Sequence, residues 1–212
     1  MTEARDSATV HVVDDDPAVL TALGRLLVAA GHRVEAHLNA DAFFSVLDPN
    51  EPGCLVLDLR MPGDDGHAVQ SRLSETGVCL PVIFLSGEGD IPASVRAMKC
   101  GAVDFLTKPV RADALLAAIT EAIARDAEAR LLKAQAAAIE DRLANLTLRE
   151  REVLDAVVAG RLNKQIADDL GIVEKTVKVH RARVMRKMGV RTLAELVSLV
   201  VAHGHGGERR AV

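Results

Sequence analysis

Between residues 55 and 62 the chain reads Leu-Val-Leu-Asp-Leu-Arg-Met-Pro, and no other stretch restricts the fold as much. The apolar run reads as a buried strand that ends on a carboxylate and a Pro-Gly turn. A strand at the centre of a parallel sheet has both faces covered, so it is apolar throughout rather than alternating. Asp58 then sits at the carboxyl end of such a strand, where open α/β sheets place their sites.

The surrounding sequence supplies the rest of a sheet. Thr9–Val13 is strand-like and ends in Asp14, Asp15 and Asp16, and Pro17 suits the first turn of a helix. Val19, Leu20, Leu23, Leu26 and Leu27 recur at helical spacing before Gly31. A second strand spans Arg33–His37, and Asn39 or Asp41 can cap a helix through Leu47. Strand three covers Cys54–Leu57, and a helix follows over about residues 67–75. Strand four covers Leu80–Leu85 and ends in Ser86-Gly87. A helix from about Ile91 to Cys100 leads to strand five, Ala102–Thr107, closed by Lys108-Pro109. Strands alternating with helices predict a doubly wound five-stranded parallel sheet, with right-handed crossovers placing helices on both faces.

Residues 111–143 are rich in Ala, Leu and Glu and contain neither Gly nor Pro, a composition with strong helix propensity. One continuous helix here would be ~50 Å long. Leu116, Ile119 and Ile123 would face the first domain. Beyond Asp126 the apolar stripe thins, and the segment fits either a stiff spacer or a weak coiled coil. Thr147-Leu148-Arg149-Glu150 is a capping box opening a helix to Ala159. Asn163 can cap a second helix through Leu170, Gly171 makes a turn, Glu174–Met188 is a third helix, and Thr192 caps a fourth reaching Ala202. The domains expected are residues 1–125, a helical linker 126–143, an all-α module 144–203 and a flexible tail 204–212 with His203 and His205 at its start.

Charge separates the same two modules. Residues 1–143 carry 13 Lys/Arg and 22 Asp/Glu, a net −9, whereas residues 144–212 carry 13 and 8, a net +5. A basic rear module suits a polyanion such as nucleic acid. Aromatic residues make up 2% of the chain, which argues against aromatic cages and base-stacking platforms. Cys54, Cys79 and Cys100 lack metal-ligand spacing and lie in or beside apolar runs, as reduced core thiols in a cytoplasmic protein would. No signal peptide and no apolar run of ~18 residues is present, so no membrane partner is expected.

Four strands end in polar groups, Asp14 and Asp15, Asp58, Ser86, and Lys108, and in the flavodoxin-like order 2-1-3-4-5 these strands would be neighbours. Three clustered carboxylates repel and call for a cation or raised pKa values. Mg²⁺ fits, because it takes one or two carboxylates plus waters and a phosphate. Arg60, two residues past Asp58, could add its backbone carbonyl. A carboxylate can also act as a nucleophile and form an aspartyl phosphate, whose oxygens Lys108 and Ser86 could hold.

In the rear module, Lys164–Ile172 with Glu174–Met188 reads as helix-turn-helix around Ile166, Ala167, Leu170, Val177, Val184 and Met188. Lys175, Lys178, Arg181, Arg183, Arg186 and Lys187 supply positive charge along the third helix, which would fit the major groove.

Val13-Asp14-Asp15, Asp58 to Gly63, Ser86-Gly87 and Phe105-Leu106-Thr107-Lys108-Pro109 together resemble the receiver domain of two-component response regulators, a flavodoxin-like fold, over about residues 9–125. Gly87 to Pro92 with Ala97 to Phe105 further resembles the FixJ subgroup. Leu146 to Leu154 and Lys175 to His180 resemble the four-helix LuxR/NarL-type DNA-binding domain over about residues 144–203. The resemblance implies phosphorylation of Asp58 by a sensor histidine kinase, Mg²⁺ among Asp14, Asp15 and Asp58, and a cis-proline after Lys108. It also implies a switch in which Ser86 moves toward the phosphoryl group and the Phe105 ring turns. That switch would expose a homodimer surface near Val95, Met98 and Phe105. Lys178 and Val179 would meet base edges, and Thr176, Asn163 and Lys164 the DNA backbone. On charge and location Lys175, Arg181, Arg183 and Lys187 join them.

The function expected is a phosphorylation-switched transcription regulator acting on promoter DNA, not an enzyme. A phosphatase using an aspartyl-phosphate intermediate would want a second acid two residues past the nucleophile, where Arg60 stands. A regulator sensing a small apolar ligand would want an aromatic-lined pocket, and the front domain has neither Trp nor Tyr.

Overall fold

The computed structural model describes residues 8–61, 64–87 and 101–204, with residues 64 and 65 described by backbone alone. The chain divides into two compact units, residues 1–131 and 132–212.

The first unit is built on five parallel strands: β1 (Thr9–Val13), β2 (Arg33–His37), β3 (Gly53–Asp58), β4 (Val82–Ser86) and β5 (Asp104–Thr107). Their order is β2-β1-β3-β4-β5, the order expected. Val13 lies opposite both His37 and Leu57, Asp58 opposite Leu85, and Ser86 opposite Thr107. These pairings bring the carboxyl ends of the strands to one edge. All six residues of β3 are buried, as its apolar run requires.

Side chains alternate between the two faces of a strand, so the sheet feeds two cores. On one face Val10, Val12, Val56, Ile83 and Leu85 pack with Leu20, Leu23 and Leu27 of α1 (Pro17–Ala29) and with Leu115 and Ile119 further along the chain. On the other, Val13, Leu55, Leu57 and Phe84 pack with Phe43 of α2 (Ala40–Val46) and with Val69 and Leu73 of α3 (Gly66–Glu75). Asp16 caps α1 by accepting the Ala18 N–H, and Asn39 rather than Asp41 caps α2 by accepting that of Ala42. The helix expected over 91–100, the loop at 88–90 and Pro62, Gly63, Val95, Met98 and Cys100 lie outside the described residues.

Two cysteines are described, and they differ. Cys54 is buried, and burial pushes its thiol up to about 12. Cys79 is exposed, contrary to its expected place in the core. It lies in the connection between α3 and β4, and the apolar neighbours Val78 and Leu80 turn inward instead.

A 33-residue helix, α4 (Ala112–Ala144), continues without interruption through the expected linker. Ile119 and Ile123 are buried in the first unit, and Leu116 packs against its core. One turn further, buried Asp126 accepts the Gly53 N–H at 3.0 Å and pairs with Arg130 at 2.8 Å. Arg130 in turn donates to the carbonyls of Pro49 and Glu51. These bonds hold the helix to the unit beyond residue 125. Leu131 and Leu132 are more than half exposed, at 58% and 59%.

The second unit holds α5 (Leu148–Val158), α6 (Asn163–Leu170), α7 (Glu174–Met188) and α8 (Leu193–Ala202). The capping box forms: Thr147 accepts from the Glu150 N–H, and the Glu150 carboxylate accepts from that of Thr147. Thr192 caps α8. Asn163 does not cap α6; Leu162 occupies that position, and its N–H is taken by the Gln165 side chain. The Asn163 side-chain Oδ1 accepts instead from the Arg181 guanidinium at 2.6 Å. Ile166, Ala167, Val177, Val184 and Met188 are buried, with Leu170 packed at the margin. Gly171, at φ 63°, makes the left-handed turn between α6 and α7. No described helix is long and apolar enough to cross a membrane.

Candidate functional sites: an acidic pocket and a basic helix

Asp14 follows β1, Asp58 ends β3 and Lys108 follows β5, so three strand termini meet at one place. Asp14 and Asp58 are buried and Asp15 is exposed; one oxygen of each lies within 4.8 Å of the others. The Lys108 ammonium donates to Asp14 Oδ2 at 2.6 Å and Asp58 Oδ2 at 2.9 Å. Burial opposes the charge on Lys108, but the hydrogen bonds and charges of Asp14 and Asp58 outweigh it and hold the lysine above its ordinary pKa. The second oxygens are fixed locally: Asp14 Oδ1 accepts the Asp16 N–H, and Asp58 Oδ1 that of Arg60. The Asp14 N–H itself donates to the His37 carbonyl at 3.2 Å.

The backbone around Asp58 is tightly packed. A Cβ on Gly66 would lie 3.0 Å from the Asp58 carbonyl oxygen and 3.1 Å from the Phe84 ring. Arg60 and Met61 form a two-residue antiparallel ladder with Asp64 and Asp65. Ser86 is buried, and its hydroxyl donates to the Gly87 carbonyl. Phe105 is half-buried, its ring 6.5 Å from that of Phe84. The peptide between Lys108 and Pro109 is cis. Hard oxygen donors on three converging carboxylates suit a divalent cation of the Mg²⁺ kind.

The basic helix α7 sorts its cations by angle. Lys175, Lys178, Val179, Arg183 and Arg186 are exposed. Val177, Val184 and Met188 are buried against the rest of the unit. Lys187 stands nine residues from Lys178, about 180° around the helix at 3.6 residues per turn. Its ammonium is bound to Glu150 at 2.6 Å and to the Asn145 carbonyl at 3.0 Å. Lys187 therefore ties α7 to the start of α5, whereas Arg186 shares the outward face of Val179. Lys178 and Lys187 flank the buried stripe on opposite sides, and it is the carboxylate of Glu150 on one side that distinguishes them. Arg181 is half-buried on Asn163, Lys164 lies in the first turn of α6, and Thr176 lies in the first turn of α7.

Comparison with known proteins agrees in both units. Residues 10–120 match the family model of the response regulator receiver domain, and residues 144–200 match that of bacterial regulatory proteins of the luxR family. The chain is 44% identical over 191 residues to the response regulator protein TodT of Pseudomonas putida, covering 90% of this chain and 84% of that one. It is 43% identical over 199 residues to the transcriptional regulatory protein FixJ of Azorhizobium caulinodans, covering 94% of each. Among solved structures it is similar to the response regulator StyR, with a TM-score of 0.85 and 45% identity over 92% of this chain and 99% of that one.

Proposed function

The chain belongs to the response regulators that join a receiver domain to a LuxR-family DNA-binding domain, and from that premise we propose that Asp58 is the phosphoacceptor through which a sensor histidine kinase controls binding to promoter DNA. The observation that carries this reading is Lys108 bridging Asp14 and Asp58 at 2.6 and 2.9 Å. A buried carboxylate at a strand end, with a fixed cation beside it, can attack phosphorus and keep the product's charge compensated.

In that step an Asp58 oxygen forms the O–P bond as the N–P bond of the kinase phosphohistidine breaks, and the freed imidazole nitrogen takes up a proton. Lys108 can exchange its bond to Asp58 Oδ2 for one to a phosphoryl oxygen without leaving Asp14. The Ser86 hydroxyl can rotate from the Gly87 carbonyl toward the phosphoryl group, and the half-buried Phe105 ring can follow it. A Mg²⁺ ion held by Asp14, Asp15, Asp58 and the Arg60 carbonyl would offset phosphoryl charge. The altered surface would pair two copies of the chain, so that two DNA-binding units engage paired half-sites in the cytoplasm.

On α7, Lys178 and Val179 reach base edges, while Lys175, Arg183 and Arg186 meet phosphates. Asn163 and Lys164 at the start of α6 and Thr176 at the start of α7 meet the DNA backbone, and Arg181 positions α7 through Asn163. Lys187 serves the fold through Glu150.

Intact-mass measurement after treatment with acetyl phosphate and Mg²⁺ tests the phosphoacceptor. One phosphoryl adduct is expected on the natural chain and none on Asp58→Ala. No adduct on the natural chain, or an undiminished one on the variant, would overturn the assignment.

A further inference from the structure

A second cluster of ligand-bearing side chains lies in the first unit, on β1 and β2. The register sets His11 opposite Glu35 and Val13 opposite His37. The two-residue alternation of strands therefore puts His11, Glu35 and His37 on one face of the sheet. His11 is 3% exposed and His37 9%. His11 Nδ1 lies 3.3 Å from His37 Nε2 and 3.8 Å from Glu35 Oε2, and all three ligand atoms fall within 4.8 Å of one another. The imidazoles stack with centroids 5.5 Å apart, and the Phe43 ring closes over both edge-on at 5.3 and 5.7 Å.

We propose that His11, Glu35 and His37 form a binding site for a divalent transition-metal ion, with Zn²⁺ the best match. Two nitrogens bound tetrahedrally to zinc at 2.0–2.1 Å stand about 3.3–3.4 Å apart, which is the separation already present here. Two histidines and one carboxylate leave the fourth position for water, the donor set of many open zinc sites.

Charge and access agree with this. Burial holds both imidazoles below the ordinary histidine pKa, and the facing nitrogens share a hydrogen bond whose proton must pass to the donor ring's other nitrogen when a cation binds. Glu35 is the outermost ligand, with a third of its side chain exposed, and opens the way from solvent. Arg33 pairs with both Glu35 and Glu51, so one negative charge remains uncompensated among these three. The nitrogen donors separate this site chemically from the all-oxygen cluster at Asp58: imidazole favours zinc, carboxylates favour magnesium. The two are physically linked, because the His37 carbonyl accepts the Asp14 N–H.

The test is calorimetric titration of Zn²⁺ into metal-free full-length protein with Mg²⁺ in large excess, so that the acidic cluster does not compete. The natural chain should bind one equivalent and gain thermal stability. His37→Gln should weaken binding by more than about 100-fold, beyond the 10–100-fold loss of an outer partner. Glu35→Gln, at a more exposed position, should weaken it about tenfold, and both variants should still take a phosphoryl group at Asp58. Binding by His37→Gln as tight as by the natural chain, or no binding by the natural chain, overturns the proposal. Should His37→Gln fail to fold, the imidazole ¹⁵N resonances of the natural chain decide: those of His11 and His37 shift with saturating Zn²⁺, and unchanged resonances reject the site. Failure here leaves the phosphoacceptor assignment intact, since that rests on the adduct at Asp58.

Discussion

Gly66 and Glu150 show how single residues hold the two units in working form. At Gly66 a methyl group would press on backbone at Asp58 and Leu59, and a shift of either would move the Asp58 carboxylate. Gly66→Ala should therefore cost about 1–3 kcal/mol, the usual range for overpacking. It should also slow acyl-phosphate formation, which melting curves and intact-mass time courses would measure together. In the second unit the Lys187 ammonium and the Thr147 N–H hold the Glu150 carboxyl down at about 2, against the opposing effect of burial. A carboxyl with a depressed pKa stabilises the folded state fully above its unfolded value. That contribution is lost as pH falls from about 4.5 to about 2. Melting temperatures of the natural chain and Glu150→Gln should therefore converge across that window, the variant being the less stable at neutral pH.

Among the elements, β3 is positioned by burial alone, and α4 by burial as far as Ile123 and by charge beyond it. Strand β3 needs nothing beyond its apolar sequence to occupy the middle of the sheet, and its terminus carries Asp58 to the edge. Past Ile123, helix α4 contacts the first unit through Arg130 and through Asp126. That carboxylate is 2% exposed, answers the Gly53 N–H at the start of β3, and pairs with Arg130. Removing one partner of a buried, hydrogen-bonded pair strands the other. Asp126→Ala should cost about 3 kcal/mol and raise amide exchange along residues 120–131, as hydrogen-exchange mass spectrometry would detect. Exchange confined to its former level would show that apolar packing alone seats the helix.

For the whole molecule the question is how an acidic unit governs a basic one. The net charges of −9 and +5 confine DNA affinity to the second unit and make that affinity salt-dependent. Phosphorylated protein should bind target DNA more tightly than unphosphorylated protein, and log affinity should fall linearly with log salt. Lys175→Ala should reduce that slope by about 1 and weaken binding evenly across sequences, as loss of a phosphate contact does. Val179→Ala should instead alter which sequences are preferred. Binding titrations at several salt concentrations separate the two.

The sequence by itself determined the strands, the capping box at Thr147, the helix-turn-helix and the acids at strand ends. Each of these follows from periodicity, capping or an apolar run, which are properties of neighbouring residues. The tertiary structure decided matters of partnership. It turned Cys79 outward, gave Asn163 to Arg181 rather than to a helix cap, and paired Lys187 with Glu150. It also brought His11 and His37, 26 residues apart, to 3.3 Å. Such pairs are fixed by strand register and by the angle of a helix against its core, and both depend on contacts between segments far apart in the chain.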